Sequence, residues 1–193
     1  MAEPMIRVLV VDDHPAMRSG LHGALRAEPG IAGVASVGTA REALIQALTR
    51  AFDVVLLDYN LPDTDGLLLC RELKAERPEL KVLVFSAFAS ESLKVPAALA
   101  GADAILDKGA PLDELLDMIR RVSRSDEPLF TPSRAAQEHF VATLDPEHLP
   151  IVAMLLDGTP PPEVAATLCL DVGAVEHRLR AMIARPALHP SLR

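Results

Sequence analysis

Five short apolar runs punctuate the first 123 residues, and the stretches between them place apolar side chains at helical spacing. Ile6 to Val11, Val34 to Val37, Val54 to Leu57, Lys81 to Phe85 and Ala104 to Leu106 read as strands. Runs this apolar suit a parallel sheet covered on both faces. Pro15 fits a first helical turn, with Met17, Leu21, Ala24 and Leu25 following at helical spacing. Thr39 and Glu42 form a capping-box signature ahead of Ala43, Leu44, Ala47 and Leu48. Leu67, Cys70 and Leu73 mark a third helix that stops before Pro78. A fifth opens at Pro111, with Asp113 and Glu114 in its first turn and Arg120 and Arg121 in its last, as the helix dipole favours. The fourth pattern starts at Ser90 but meets Pro96, which has no N–H for the carbonyl four residues back, so the helix either kinks there or begins at Pro96, and the late start is the favoured reading. The fold class is α/β: a (βα)5 doubly wound parallel sheet with right-handed crossovers.

The pattern changes beyond residue 123. Residues 124–143 read as a linker with a short helix over 132–141, and residues 144–193 as a small all-α unit with helices over 146–157, 161–168 and 172–184. Net charge is −8; residues 1–126 carry 14 basic and 19 acidic side chains and the remainder 5 and 8, so neither segment has the basic balance of a typical nucleic-acid-binding domain. No apolar stretch approaches the roughly 20 residues needed to cross a bilayer. The N-terminus lacks a secretory pattern, and the two cysteines show no metal spacing, so a reduced cytoplasmic location is expected. The methionines, Met5, Met17 and Met118 among them, are expected to fill core space.

The strand ends carry the chemistry. The run Val54 to Leu57 ends in Asp58, and Val8 to Val11 ends in Asp12 and Asp13. In open α/β sheets the carboxyl edge is where sites form. Three carboxylates gathered there repel one another unless a cation or a proton sits among them. Taken singly, a strand-end Asp is most often a cap, a lone lysine such as Lys108 a solvated side chain, and His14, with no His or Cys partner nearby, a bystander rather than a ligand.

Asp12-Asp13-His14-Pro15, Asp58 within Leu-Leu-Asp-Tyr-Asn-Leu-Pro, Ser86-Ala87 and Lys108 within Leu-Asp-Lys-Gly together resemble the receiver domain of two-component response regulators, the NarL/FixJ family above all, with a flavodoxin-like fold over residues 1–123. The resemblance implies that Asp58 accepts a phosphoryl group as a nucleophile. It implies Mg²⁺ held by Asp13, Asp58 and the main-chain carbonyl of Asn60, with Asp12 acting through bound water. Lys108 and Ser86 would contact phosphoryl oxygens, and the partner would be a sensor histidine kinase or a small phosphodonor. One position departs: such receivers usually carry Tyr or Phe three residues before the lysine, where this chain has Ile105, so a swinging aromatic ring cannot report phosphorylation.

Residues 144–183 resemble the LuxR-type helix-turn-helix that follows such receivers, and residues 186–193, with Pro186 and Pro190, are expected not to supply that domain's fourth helix, often used for dimerisation. Lysines usual on the recognition helix are replaced by Gly173 and Glu176, which leaves His177, Arg178, Arg180 and Arg185 as candidate DNA contacts. Two readings follow. In the first, phosphorylation alters dimerisation or frees the output helices and controls transcription through DNA. In the second, DNA affinity is lost and the chain is a phosphorylation-dependent protein-interaction switch. An aspartate-nucleophile phosphatase is a third and poorer reading, because its usual second carboxylate two residues on is Asn60 here. Self-catalysed phosphoryl transfer and autodephosphorylation are the only enzyme-like chemistry expected.

Overall fold

The computed structural model describes residues 5–87 and 89–184. Its five strands are β1 (Ile6–Val11), β2 (Ile31–Val37), β3 (Val54–Asp58), β4 (Lys81–Ser86) and β5 (Ala104–Asp107). All pair in parallel, in the order β2-β1-β3-β4-β5. The order reverses between β1 and β3, which opens a crevice at their carboxyl ends. The inner strands β1, β3 and β4 are apolar over most of their length because each serves two cores, whereas β2 at the edge is only partly buried. Val8, Val10, Val54, Leu56, Leu83 and Phe85 face one layer, built on α1 (Pro15–Arg26) and α5 (Leu112–Val122). Leu9, Val11, Val55, Leu57, Val82 and Val84 face the other, built on α2 (Ala40–Thr49), α3 (Gly66–Glu76) and α4 (Glu91–Ala100).

The strand reading holds, with β2 starting three residues earlier than its apolar pattern because Ile31 and Gly33 still pair with β1. The expectation for α4 fails. The helix begins at Glu91 and carries Pro96 inside it. Leu93, Val95, Ala97 and Leu99 are all buried along this helix, and that burial offsets the hydrogen bond that Pro96 cannot donate. Two methionines also depart from the core role: Met5, just before β1, and Met17, on α1 at the mouth of the pocket lined by Asp58 and Lys108, are both exposed. The capping box of α2 forms one residue out of register. Thr39 accepts from the Glu42 amide, but the Glu42 carboxylate accepts from Gly38 N–H at 3.2 Å.

Beyond the sheet lie α6 (Arg134–Ala142), a 3₁₀ turn at Pro146–His148, α7 (Leu149–Leu156), α8 (Pro161–Thr167) and α9 (Val172–Ile183). The helix expected over 146–157 is thus a 3₁₀ turn followed by an α-helix, with Pro150 in the first turn, where its missing N–H is spare. Ser133 and Asp171 cap α6 and α9 by accepting from the Ala136 and Gly173 amides. These helices do not stand apart. Phe140, Ile151, Val164, Val175, Leu179 and Met182 belong to the same apolar cluster as α3 and α4, so the output helices form a third layer over that face of the receiver-like sheet. Cys70 is buried in α3, where burial pushes its thiol up to about 12, and Cys169 is exposed in the turn before α9 with a left-handed backbone, φ 54°.

Candidate functional site

Asp12, Asp13, Asp58 and Lys108 meet at the carboxyl edge of the sheet. Asp58 ends β3, buried, in register with Phe85 of β4. Asp12 follows β1 and is buried as well. The Lys108 ammonium lies 2.8 Å from Asp12 Oδ2 and 2.7 Å from Asp58 Oδ2 and so bridges the two strands. Its amide donates to the Ser86 carbonyl at 3.0 Å, which fixes the loop after β5 to the end of β4. Ser86 is buried beside it, register-paired with Asp107. Ligand atoms of Asp12, Asp13, His14 and Asp58 all lie within 4.8 Å of one another. The His14 ring Nδ1 sits 2.6 Å from Asp13 Oδ1, closer to the cluster than the sequence reading placed it.

Electrostatics follow from burial. Burial pushes the Asp58 carboxyl above its ordinary value, and the Asp12 charge adds to this, while Lys108 and the Asn60 amide pull the other way. Burial works against the charge on Lys108, but its hydrogen bonds to Asp12 and Asp58 outweigh that and hold its pKa above the ordinary lysine value. The Asn60 amide points to Asp58 Oδ1 at 3.3 Å. Oxygen donors at this spacing, all hard and mostly anionic, suit Mg²⁺, and the protein cations nearest them leave Asp13 without a lysine or arginine contact among the described residues.

The loop after Asp58 is held from two sides. Asp63 reaches across to the N-terminus of α2, accepting from Ala40 N–H at 2.9 Å and Arg41 N–H at 3.1 Å. Gly66 donates its amide to the Tyr59 carbonyl at 2.8 Å, and a Cβ on Gly66 would stand 2.3 Å from the Asp58 carbonyl oxygen. Arg18 of α1 donates to the Asp12 carbonyl at 2.8 Å. The sequence reading passed over Asp63 and Arg18. A Pro-Asp turn after a strand signals Asp63, because such an aspartate accepts backbone N–H groups, but nothing local signals Arg18.

A family model described as "Response regulator receiver domain" matches residues 8–120. The chain belongs to the response regulator receiver family. The receiver and the helices after it are similar to the DNA-binding transcriptional activator DevR/DosR of Mycobacterium tuberculosis, 28% identical over 94% of this chain and 88% of that protein. They are also similar to the transcriptional activator protein ExaE of Pseudomonas putida, 31% identical over 89% of this chain and 86% of that protein. Among solved structures, a LuxR-family two-component response regulator from Aurantimonas sp. SI85-9A1 superposes with a TM-score of 0.61 at 27% identity, covering 70% of this chain and 98% of that one. The receiver fold therefore has the five-stranded parallel sheet expected of the family.

The candidate DNA contacts are scattered by comparison. On α9, His177 is exposed, Arg178 faces Glu147 at 3.3 Å and Arg180 faces Glu72 of α3 at 2.7 Å. Arg185 lies outside the described residues, as does the stretch 186–193 on which the missing fourth helix was judged. Among the described residues, no helix is long and apolar enough to cross a membrane.

Proposed function

We propose that this response regulator is phosphorylated on Asp58 and controls transcription through its C-terminal helices, as its similarity to the transcriptional activators DevR/DosR and ExaE suggests. The observation that carries the reading is the Lys108 ammonium held between Asp12 and Asp58 at the sheet edge. An Asp58 carboxylate oxygen attacks phosphorus of a phosphohistidine or acyl phosphate donor. The P–N or P–O bond of the donor breaks, and the imidazole or carboxylate leaves with the electron pair. Asp12, Asp13, Asp58 and the Asn60 carbonyl would hold Mg²⁺. Bound there, Mg²⁺ would offset the negative charge gathered by the carboxylates and phosphoryl oxygens. Lys108 exchanges its contact with the Asp58 carboxylate for a phosphoryl oxygen, and the Ser86 hydroxyl donates to another. With Ile105 in place of an aromatic, the readout rests on these two residues and on the loops they pull. Water returns the acyl phosphate to carboxylate and phosphate, so the phosphorylated state is timed rather than permanent.

Acetyl phosphate with Mg²⁺ tests the reading: wild type takes up one phosphoryl group and Asp58→Ala none, and promoter DNA binding changes with the label. Labelling that persists in Asp58→Ala would sink it. The pairing of α9 charges with α3 favours a second reading, a protein-interaction switch without DNA affinity. Absence of DNA binding by the phosphorylated form at low salt would select it.

A further inference from the structure

Helix α9 packs on α3 and α4 of the receiver, and two ion pairs of opposite polarity join it to α3. Arg71 of α3 is bidentate to Glu176, with its Nε at 3.0 Å from Oε2. The next residue, Glu72, accepts from Arg180 at 2.7 Å. The side chains of the first pair are 14% and 29% exposed and those of the second 46% and 32%, so the first is the better shielded from salt and the more directional. Glu176 and Arg180 are themselves four residues apart on α9, with the acid N-terminal to the base. In a free helix that is the spacing and order at which such side chains pair with each other. Docked, each is turned to α3 instead.

We propose that α3 and α9 form a charge-exchange latch. While α9 lies on the receiver, Arg71 and Glu72 hold its Glu176 and Arg180. When α9 leaves, Glu176 and Arg180 pair along α9, so neither charge is stranded and release costs less than breaking two ion pairs. This explains the acid at a position where the resemblance leads one to expect lysine. Glu176 is the group that recognises α3, and its repulsion for phosphate is spent on the docked state. The latch also places the coupling on α3. That helix begins at Gly66, against the backbone of the phosphoacceptor Asp58, so a shift of the loop at 59–65 reaches Arg71 through less than two turns of helix. The role of the latch in output rests on the transcriptional reading above, but its existence does not.

Amide hydrogen exchange of the full chain, read on peptides spanning α9, tests it. Arg71→Glu and Glu176→Arg each speed exchange of α9 by about tenfold or more, and the double charge swap restores it to within about threefold of wild type. Arg71→Gln gives an intermediate rate and guards against a fold defect from charge reversal. Each variant is shown to be folded by uptake of phosphate on Asp58 from acetyl phosphate. Single reversals that leave α9 exchange at the wild-type rate, or a double swap as open as either single, overturn the proposal. DNA binding is measured on the same proteins. If α9 opens and is re-latched by the swap while no variant binds DNA, the latch stands and the transcriptional reading fails.

Discussion

Gly66→Ala is the sharpest test of how the site is supported. The added methyl carbon would lie 2.3 Å from the Asp58 carbonyl oxygen, 2.8 Å from the Tyr59 carbonyl oxygen and 2.9 Å from the Tyr59 Cα. All three are backbone atoms, so no flexible side chain can move aside. Restoring ordinary contact needs a displacement of about 1 Å between the start of α3 and the end of β3, in an interior packed as tightly as a crystal. Overpacking of this kind destabilises by about 2–3 kcal/mol, which lowers the melting temperature by roughly 5–10 °C for a chain of this size. The same shift moves the Asp58 backbone, and misplacement by about 1 Å can slow a positioned reaction up to roughly 100-fold. Melting followed by circular dichroism and the rate of phosphorylation from acetyl phosphate are the two readouts. Gly20 on α1 is the control: a Cβ there meets nothing within 4 Å, so Gly20→Ala leaves the site alone and stabilises the helix by about 0.5–1 kcal/mol. A Gly66→Ala protein that melts within a degree of wild type and labels at the same rate would falsify the close-contact argument.

Burial that raises the Asp58 carboxyl means that its charge burdens the fold at neutral pH. In metal-free buffer Asp58→Asn therefore melts above wild type at pH 7, and the gap closes as pH falls through the folded-state pKa and the wild-type carboxyl takes up its proton; a lower melting temperature for the variant contradicts this. Mg²⁺ at 100 times its dissociation constant stabilises wild type by about 2.7 kcal/mol, a gain that Asp13→Asn largely removes in a calorimetric titration; equal stabilisation of both proteins counts against the proposed ligand set. The Asp63 carboxyl is also perturbed: its slight burial raises it, but the hydrogen bonds from Ala40 and Arg41 outweigh that and hold its pKa below the ordinary value. Asp63→Ala loses about 1 kcal/mol or less, since the group is exposed, and the wild-type advantage is present above the unfolded carboxylate pKa and fades as pH falls through the folded one; a pH-independent difference in urea melts argues against it.

The fold was legible because the inner strands are apolar on both faces and end in turns, a pattern that few arrangements other than a covered parallel sheet satisfy. The strand-end aspartates were legible for the same reason: once the sheet is parallel, its carboxyl ends must share an edge. Lys108 stood out only through the resemblance to receiver domains, since a lone lysine reads as a solvated side chain, and the structure brings it into contact with Asp12 and Asp58. The α4 start was misjudged because a local rule about Pro96 lost to burial contributed by residues far away in sequence. Arg71 and Glu72 carried no visible signal. Their partners, Glu176 and Arg180, lie more than 100 positions along the chain, and only the docking of α9 on α3 brings the two segments together.

The unequal setting of the two cysteines has a practical consequence. Cys70 is sealed inside α3 with a thiol whose pKa is pushed up to about 12, whereas Cys169 stands open to solvent at the threshold of α9. A maleimide dye added to the native protein will therefore modify one place only, without any engineered residue. Its fluorescence gives a reporter seated where the output helices turn, on the wild-type chain and in real time.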